Sequence, residues 1–205
     1  MERLFAGIAL PADVRERLGG LCASLAGVRW VAVENMHVTL RFIGDVDRAA
    51  GDDVHAALSS VAAPAFALRL AGIGCFESRG RVRTIWAGIE KSASLDHFAD
   101  KVESAIVRAG FEPEGRKFKG HVTLARLKNV PLARIGGYLE SHSAFAAGPF
   151  SVENFALFRS HLGKGGPVYE RLADYALAAA RPSNAGNAAM SANTRSAPAE
   201  RKASA

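Results

Sequence analysis

The order of hydrophobic and polar residues predicts strands and helices that alternate through two similar halves of the chain. Apolar residues at every second position predict strands, and apolar residues spaced by three or four predict helices. The predicted strands span 4–10, 30–44, 66–73, 82–89, a stretch around 121–124, 150–158 and 169–177. The predicted helices span 11–25, 50–61, 94–109 and 132–141. Two halves of this kind favour an α+β fold with internal pseudo-symmetry.

The tetrapeptide His-Val-Thr-Leu occurs once in each half, at residues 37–40 and 121–124. In a strand, every second side chain points to the same face, so each histidine projects together with the threonine two positions later. The valines and leucines then point into the core. For one copy alone, a half-buried structural histidine would be the simpler interpretation. Two identical copies in equivalent places favour a functional role.

Two histidines and two threonines without an evident nucleophile or metal cluster fit hydrolysis of a cyclic phosphodiester. One neutral imidazole takes a proton from the attacking water, and one imidazolium gives a proton to the departing ribose oxygen. The hydroxyls of Thr39 and Thr123 would bind the phosphate oxygens. Arg41 and Arg126 would add positive charge. Strict alternation places Arg41 on the face of His37, whereas Arg126 would need a bulge or the end of the strand to reach the site.

The composition is that of a soluble globular protein, without an apolar run long enough to span a membrane. Of the net charge of +6, half comes from the segment 181–205, which has four basic residues and one acidic residue. The remainder is mildly basic, which suits a small phosphorylated or oligonucleotide ligand better than a long duplex. Two cysteines and the absence of a signal-peptide pattern lead us to expect a cytoplasmic location.

The motifs and their surroundings resemble the 2H phosphoesterase superfamily, and within it the RNA 2′,3′-cyclic phosphodiesterases, also named 2′-5′ RNA ligases. The similar stretches are 3–6, 29–31, 34–44, 86–88, 121–126 and 166–169, and the resemblance covers residues 2–178. It implies a bilobal fold in which two antiparallel sheets flank a central cleft, with helices on the outside. It also implies one two-lobed domain over residues 1–178.

The resemblance further implies the reaction and the roles of the histidines. A 2′,3′-cyclic phosphate, at an RNA end or on a small nucleotide, would open to a 2′-phosphomonoester without a metal or other cofactor. By the family pattern, His37 is the general acid and His121 the general base. The family often has proline near Val33 and at the position of Gly120, a departure that leaves the four motif side chains in place.

Two alternatives remain open at this point: 2′-5′ RNA ligation, in which a 5′-hydroxyl replaces water, and binding of RNA ends without catalysis. Water at about 55 M favours hydrolysis unless the hydroxyl is held at a large effective molarity. Phe42 alternates toward the core, so we do not expect it to stack a base, and we expect Trp30 in the core. His161 and Tyr169 are candidate ligand contacts. We expect a disordered tail over 179–205 and a monomeric protein.

Overall fold

The computed structural model describes residues 1–22, 25, 28–163 and 166–179, which form nine strands and four α-helices. The strands are β1 (Glu2–Ala9), β2 (Arg29–Trp30), β3 (His37–Val46), β4 (Phe66–Ser78), β5 (Arg81–Ile89), β6 (His121–Pro131), β7 (Ala146–Val152), β8 (Asn154–Gly163) and β9 (Gly166–Ala176). The helices are α1 (Ala12–Gly19), α2 (Arg48–Ser59), α3 (Ala93–Arg108) and α4 (Leu132–Ser141), and a short 3-10 helix spans Val33–Asn35.

The strands form an open antiparallel sheet in the order β7-β4-β5-β6-β3-β1-β8-β9, and β2 pairs with the free part of β6. The two halves of the sheet are β7-β4-β5-β6, to which β2 is added, and β3-β1-β8-β9. Because β4 and β5 lie with β6, these halves differ from the two halves of the sequence. The halves meet at β3 and β6. Within the described residues, Val38 and Val122 are the single pair of residues that joins these two strands. The predicted α+β class is therefore confirmed, and the two predicted sheets are the two halves of this open sheet.

Helices cover one side of the junction between the halves. α2 and α3 begin at side-chain caps, because Asp47 accepts a hydrogen bond from the Ala50 amide (2.9 Å) and Ser92 from the Leu95 amide (3.2 Å). The buried stripe of α3 packs on the same core as the buried valines and leucines of both motifs. The helix layer thus packs on the apolar face of β3 and β6. The opposite face of these strands, which carries the histidines, stays open.

Two predicted elements differ from the structure. The first helix ends at Gly19 instead of near residue 25. The predicted strand over 150–158 is two strands in different halves, since β7 pairs with β4 and β8 with β1. The chain crosses between the halves at Glu153, and the two consecutive polar residues Glu153 and Asn154 mark the break in the alternating pattern. Residues 180–205, most of the predicted tail, lie outside the described residues, and no described helix is long and apolar enough to cross a membrane.

Candidate active site

Both motif copies line one cleft of about 190 Å³ at the junction of β3 and β6. The antiparallel pairing of Val38 with Val122 puts the two motifs side by side. As predicted by alternation, the side chains on the open face include His37, Thr39, His121 and Thr123. The cleft is therefore built by both halves, with one histidine and one threonine from each.

His37 is held by hydrogen bonds at both ring nitrogens. Its Nδ1 lies 2.7 Å from the Asn35 carbonyl oxygen, and its Nε2 lies 3.0 Å from Thr39 Oγ1. A carbonyl oxygen only accepts, so Nδ1 carries the hydrogen and donates it. In the neutral ring, Nε2 then has the lone pair and accepts the hydrogen bond from the Thr39 hydroxyl. The nitrogen that faces the cleft is thus the one free to exchange a proton.

His121 repeats this arrangement in the second half. Its Nδ1 lies 2.7 Å from the Lys119 carbonyl oxygen, again two residues before the histidine. The same tautomer follows, with the hydrogen on Nδ1 and the lone pair on Nε2. The repeat therefore fixes both imidazoles in one tautomer, with Nε2 available to a ligand.

Aromatic rings pack against both histidines. The His37 ring stacks on Phe5 with centroids 4.7 Å apart and meets the edge of Tyr169 at 5.1 Å. The His121 ring meets Phe76 at 5.0 Å, nearly perpendicular to it. Because burial disfavours the charged form, it lowers the pKa of His37 to about 4 and also lowers the pKa of His121.

Neighbouring charges act in the same direction as burial. The positive charge of Arg126, and that of His121 when it is protonated, further lower the pKa of His37, while the Asn35 carbonyl raises it. The charges of Lys119 and Arg126 further lower the pKa of His121. In the protein without a ligand, both imidazoles are therefore neutral at pH 7.

A β-bulge follows the threonine of the first motif. Thr39 pairs with Gly7 and Arg41 pairs with Ala6, so Leu40 has no residue opposite it in β1. One extra residue in a strand reverses the face to which all later side chains point. The strict alternation assumed from the sequence therefore ends at this leucine.

The bulge contradicts two predictions. Arg41 does not share the face of His37: it is buried, with its Nε 2.6 Å from a Glu103 carboxylate oxygen and its Nη1 3.3 Å from Glu114. It joins β3 to α3 and to the segment before β6 instead of reaching the cleft. Phe42 faces the cleft instead of the core, and it is 52% exposed.

The second motif has the same bulge. Trp86 pairs with Thr123 and Ile85 pairs with Ala125, so Leu124 is the extra residue. After it, Ala125 is buried and Arg126 is exposed and lines the cleft. The bulge that Arg126 needed in order to reach the site is thus present. Of the two predicted arginines, only this one lies at the cleft.

Of the two residues left undecided by the sequence, Tyr169 lies at the site and His161 does not. His161 is on the opposite face of β8 from Phe158, whose ring lies 6.0 Å from that of His37. There its Nε2 is 2.9 Å from a Glu170 carboxylate oxygen. Phe76 and Thr84 line the cleft without having been predicted. For Thr84, the alternation of side chains along β5 could have predicted this position.

The cleft brings together two imidazole nitrogens, two hydroxyl groups and one guanidinium group. The imidazoles are suited to exchange protons, and the hydroxyl and guanidinium groups are suited to bind the oxygens of a phosphate ester. Within the described ranges, no group of three or more His, Cys, Asp or Glu side chains is placed to hold a metal ion. The cleft therefore holds the kinds of group that acid–base chemistry on a phosphate ester uses.

Comparison with known proteins agrees with this interpretation. The family model described as LigT-like phosphoesterase matches residues 8–86 and 88–169. The RNA 2′,3′-cyclic phosphodiesterase of Aeropyrum pernix is 34% identical over 147 residues, which are 71% of this chain and 84% of the relative. That of Archaeoglobus fulgidus is 29% identical over 173 residues, 83% of this chain and 97% of the relative.

A solved structure gives the same result for the fold. The structure of E. coli LigT complexed with 3′-AMP matches with a TM-score of 0.69 at 26% identity. The match covers 86% of this chain and 98% of that one. The similarity therefore extends through both halves and both motifs.

Proposed function

Because the chain belongs to the LigT-like phosphoesterase family, we propose that it hydrolyses 2′,3′-cyclic phosphates at RNA ends to 2′-phosphomonoesters. The observation that carries this proposal is the pair of identically anchored histidines on one cleft. Hydrolysis of a cyclic phosphodiester needs one group that accepts a proton and one that donates a proton. A binding site alone has no need for such a pair.

In the proposed reaction, His121 is the general base and His37 the general acid. The neutral Nε2 of His121 takes a proton from water as the water oxygen attacks phosphorus. The bond between phosphorus and O3′ breaks, and protonated His37 Nε2 gives its proton to O3′. Lys119 supports this assignment, because its charge helps to keep His121 neutral.

The remaining polar groups of the cleft stabilise the charge on the phosphate. Thr39, Thr123 and Arg126 line the space next to the histidines, where they can donate hydrogen bonds to the non-bridging oxygens. Their donors are fixed by the strands before the reaction starts, which is the condition for effective stabilisation of a transition state. Since these groups and the histidines all come from one chain, we propose that a monomer acts without a metal.

Binding of the substrate has to protonate His37. Its pKa of about 4 leaves it neutral in the free protein at pH 7. The negative charge of a phosphodiester beside the ring opposes the effects of burial and of Arg126, so it raises this pKa in the complex. We therefore expect about one proton to be taken up when a phosphate ligand binds.

The test is an assay of the purified protein with a nucleoside 2′,3′-cyclic phosphate and excess EDTA, in which 2′- and 3′-monophosphate products are resolved. We expect the 2′ product, and a fall in kcat of at least about 10²-fold in His37→Ala and in His121→Ala. His161→Ala is the matched control, because this histidine lies on the outer face, and it should keep full activity.

Three results would contradict the proposal. Full turnover by both cleft variants would exclude the histidine mechanism, and loss of activity in EDTA would exclude a reaction without metal. No turnover of the mononucleotide or of a short RNA with the same end, together with retained binding, would favour the non-catalytic alternative. Adding an RNA with a 5′-hydroxyl to the assay reports on 2′-5′ ligation.

A further inference from the structure

The hydrogen bond from His37 to Asn35 decides which ring nitrogen of His37 carries the hydrogen. The Asn35 carbonyl oxygen, 2.7 Å from Nδ1, can only accept a hydrogen bond, so it selects the ring with the hydrogen on Nδ1. The Thr39 hydroxyl group, 3.0 Å from Nε2, can donate or accept and therefore fits either tautomer. Of these two partners, the Asn35 carbonyl group is the one that distinguishes between the tautomers.

The apolar contacts of His37 fix the plane of its ring and not the place of its hydrogen. Phe5 stacks on the ring with centroids 4.7 Å apart, and Phe158 stacks at 6.0 Å. A Cβ atom at Gly7 would lie 3.4 Å from His37 Cδ2, so the backbone of β1 lies close to that edge of the ring. Dispersion contacts of this kind do not prefer one ring nitrogen to the other. The tautomer therefore depends on how firmly the Asn35 carbonyl group is held.

Asn35 is held through its backbone and through its side chain. It ends the short 3-10 helix, and its backbone amide donates a hydrogen bond to the Ala32 carbonyl oxygen (2.8 Å). Its side-chain Nδ2 donates a hydrogen bond to the Pro167 carbonyl oxygen at the start of β9 (2.8 Å). The hydrogen bonds of a 3-10 helix have poorer geometry than those of an α-helix. The side-chain bond to Pro167 therefore contributes substantially to the position of the Asn35 carbonyl group.

The bond to Pro167 joins two parts of the molecule that the sheet keeps apart. In the sheet, β1 and β8 lie between β3 and β9, so strand pairing does not connect β9 with the residues before β3. Two positions after Pro167, the Tyr169 ring meets the His37 ring at 5.1 Å. The start of β9 thus reaches His37 by two routes, through the carbonyl group of Asn35 and through the ring of Tyr169.

We propose that Asn35 is a positioning residue for the general acid. By its side-chain bond to Pro167, it holds the carbonyl group that keeps the hydrogen of His37 on Nδ1 and the lone pair on Nε2. Nε2 can then take up the proton that it later gives to O3′, and Asn35 itself transfers no proton. The effect of Asn35 on the rate rests on the proposed function, whereas its effect on the tautomer of His37 does not.

The first measurement is ¹H–¹⁵N NMR of the histidine rings in the ligand-free protein at pH 7. In the unmodified protein, His37 and His121 should both carry the hydrogen on Nδ1. Asn35→Ala removes the donor, and Asn35→Leu removes it while keeping the size of the side chain. Both variants should give His37 a mixture of the two tautomers. His121 is the internal reference, since the Lys119 carbonyl group holds its Nδ1 (2.7 Å) and both variants leave that bond in place.

The second measurement is steady-state kinetics with a nucleoside 2′,3′-cyclic phosphate. In both Asn35 variants, kcat should fall about tenfold while KM stays within about twofold, because a misplaced acid slows the chemical step and not binding. Asn154→Ala is the matched control. Asn154 Oδ1 accepts a hydrogen bond from Arg171 (3.0 Å), so this variant also removes a side-chain contact with β9, toward the other end of the strand. It should change neither kcat nor the His37 signals.

Separate outcomes contradict the inference and the proposed function. If His37 keeps its hydrogen on Nδ1 in the Asn35 variants, the inference is overturned, whatever their rates. An equal fall in kcat in Asn154→Ala, or a higher KM with unchanged kcat in the Asn35 variants, would also overturn it. If Asn35→Ala does not fold, Asn35→Leu decides. If the unmodified protein turns over no cyclic phosphate, the proposed function fails, and the tautomer of His37 in the variants then decides the inference.

Discussion

The two copies of the motif share one backbone arrangement and differ in the residues that follow it. In each copy a leucine forms a bulge directly after the threonine. Beyond the bulge, the first copy buries Arg41 and turns Phe42 to the cleft, whereas the second buries Ala125 and turns Arg126 to the cleft. The repeat thus sets the positions, and the next two residues decide whether that side of the cleft is apolar or charged.

The residue two positions before each histidine shows the same contrast. Asn35 and Lys119 both accept the Nδ1 hydrogen bond through their carbonyl groups. The Asn35 side chain binds the start of β9, whereas the Lys119 ammonium group lies 4.4 Å from the centre of the Trp86 ring, near His121. Identical motifs therefore have unlike surroundings, as the proposed division into an acid and a base requires.

The two arginines that follow the bulges should separate activity from stability. Arg126→Gln removes the one cation among the described residues that line the cleft, so we expect kcat/KM to fall about 10²-fold. Arg41→Gln removes the buried partner of two partly exposed carboxylates, and it should lower the free energy of unfolding by about 1–2 kcal/mol.

Steady-state kinetics and denaturant unfolding on both variants check this contrast. The activity of folded Arg41→Gln should stay within about threefold of the unmodified protein, since its side chain does not reach the cleft. A 10²-fold loss of activity in a fully folded Arg41→Gln protein would show that this arginine does take part at the phosphate.

The depressed pKa of His37 should make stability depend on pH. Its pKa is about 4 in the folded protein and near 6.5 in the unfolded chain, so between these values the unfolded state binds more protons. His37 therefore stabilises the fold fully above pH 6.5, and this stability is lost as the pH falls toward 4. Relative to His37→Gln, the unmodified protein should lose roughly 1–2 kcal/mol between pH 7.5 and pH 5. Urea unfolding of both proteins at both pH values measures this loss. A difference in the free energy of unfolding between the two proteins that stays the same at both pH values would refute the lowered pKa of His37.

Phe42 is the counterpart of Arg126 in the first half, and its effect should be on binding. The ring is half exposed on the wall of the cleft, where it can contact the sugar or base of a substrate. Phe42→Ala should raise KM about fivefold with little change in kcat, and Phe42→Tyr should restore KM. An unchanged KM in Phe42→Ala would leave the ring without a role in the site.

Lys119→Met should give the smallest change. Removing the ammonium group removes a positive charge that lowers the pKa of His121, so this pKa should rise. NMR titration of the His121 ring in the free protein detects such a shift. The His37 ring serves as the internal reference, since Lys119 is not among the groups that shift its pKa.

Alternation along the strands predicted the site as far as the threonines. His37, Thr39, His121 and Thr123 share the cleft because a period of two holds from each histidine to its threonine. The prediction failed for Arg41 because the bulge at Leu40 depends on how β3 pairs with β1. Pairing between distant strands is a tertiary feature that local residue patterns do not encode.

Other parts of the site also depended on long-range contacts. The position of Tyr169 against His37 follows from the pairing of β9 with β8 and of β8 with β1, across most of the length of the chain. The low pKa of His37 follows from rings of three different strands that close over it. The motif identified the groups that we propose to react, but their environment comes from the assembled sheet.

The division of roles between the two histidines is tested most directly by the pH dependence of kcat in three proteins: the unmodified protein, His37→Ala and His121→Ala. We expect a bell-shaped profile for the unmodified protein, since one histidine must be protonated and the other neutral. His121→Ala should lose the fall in rate at low pH, and His37→Ala should lose the fall at high pH. The opposite pattern would exchange the two roles, and profiles that keep both limbs in both variants would contradict the account.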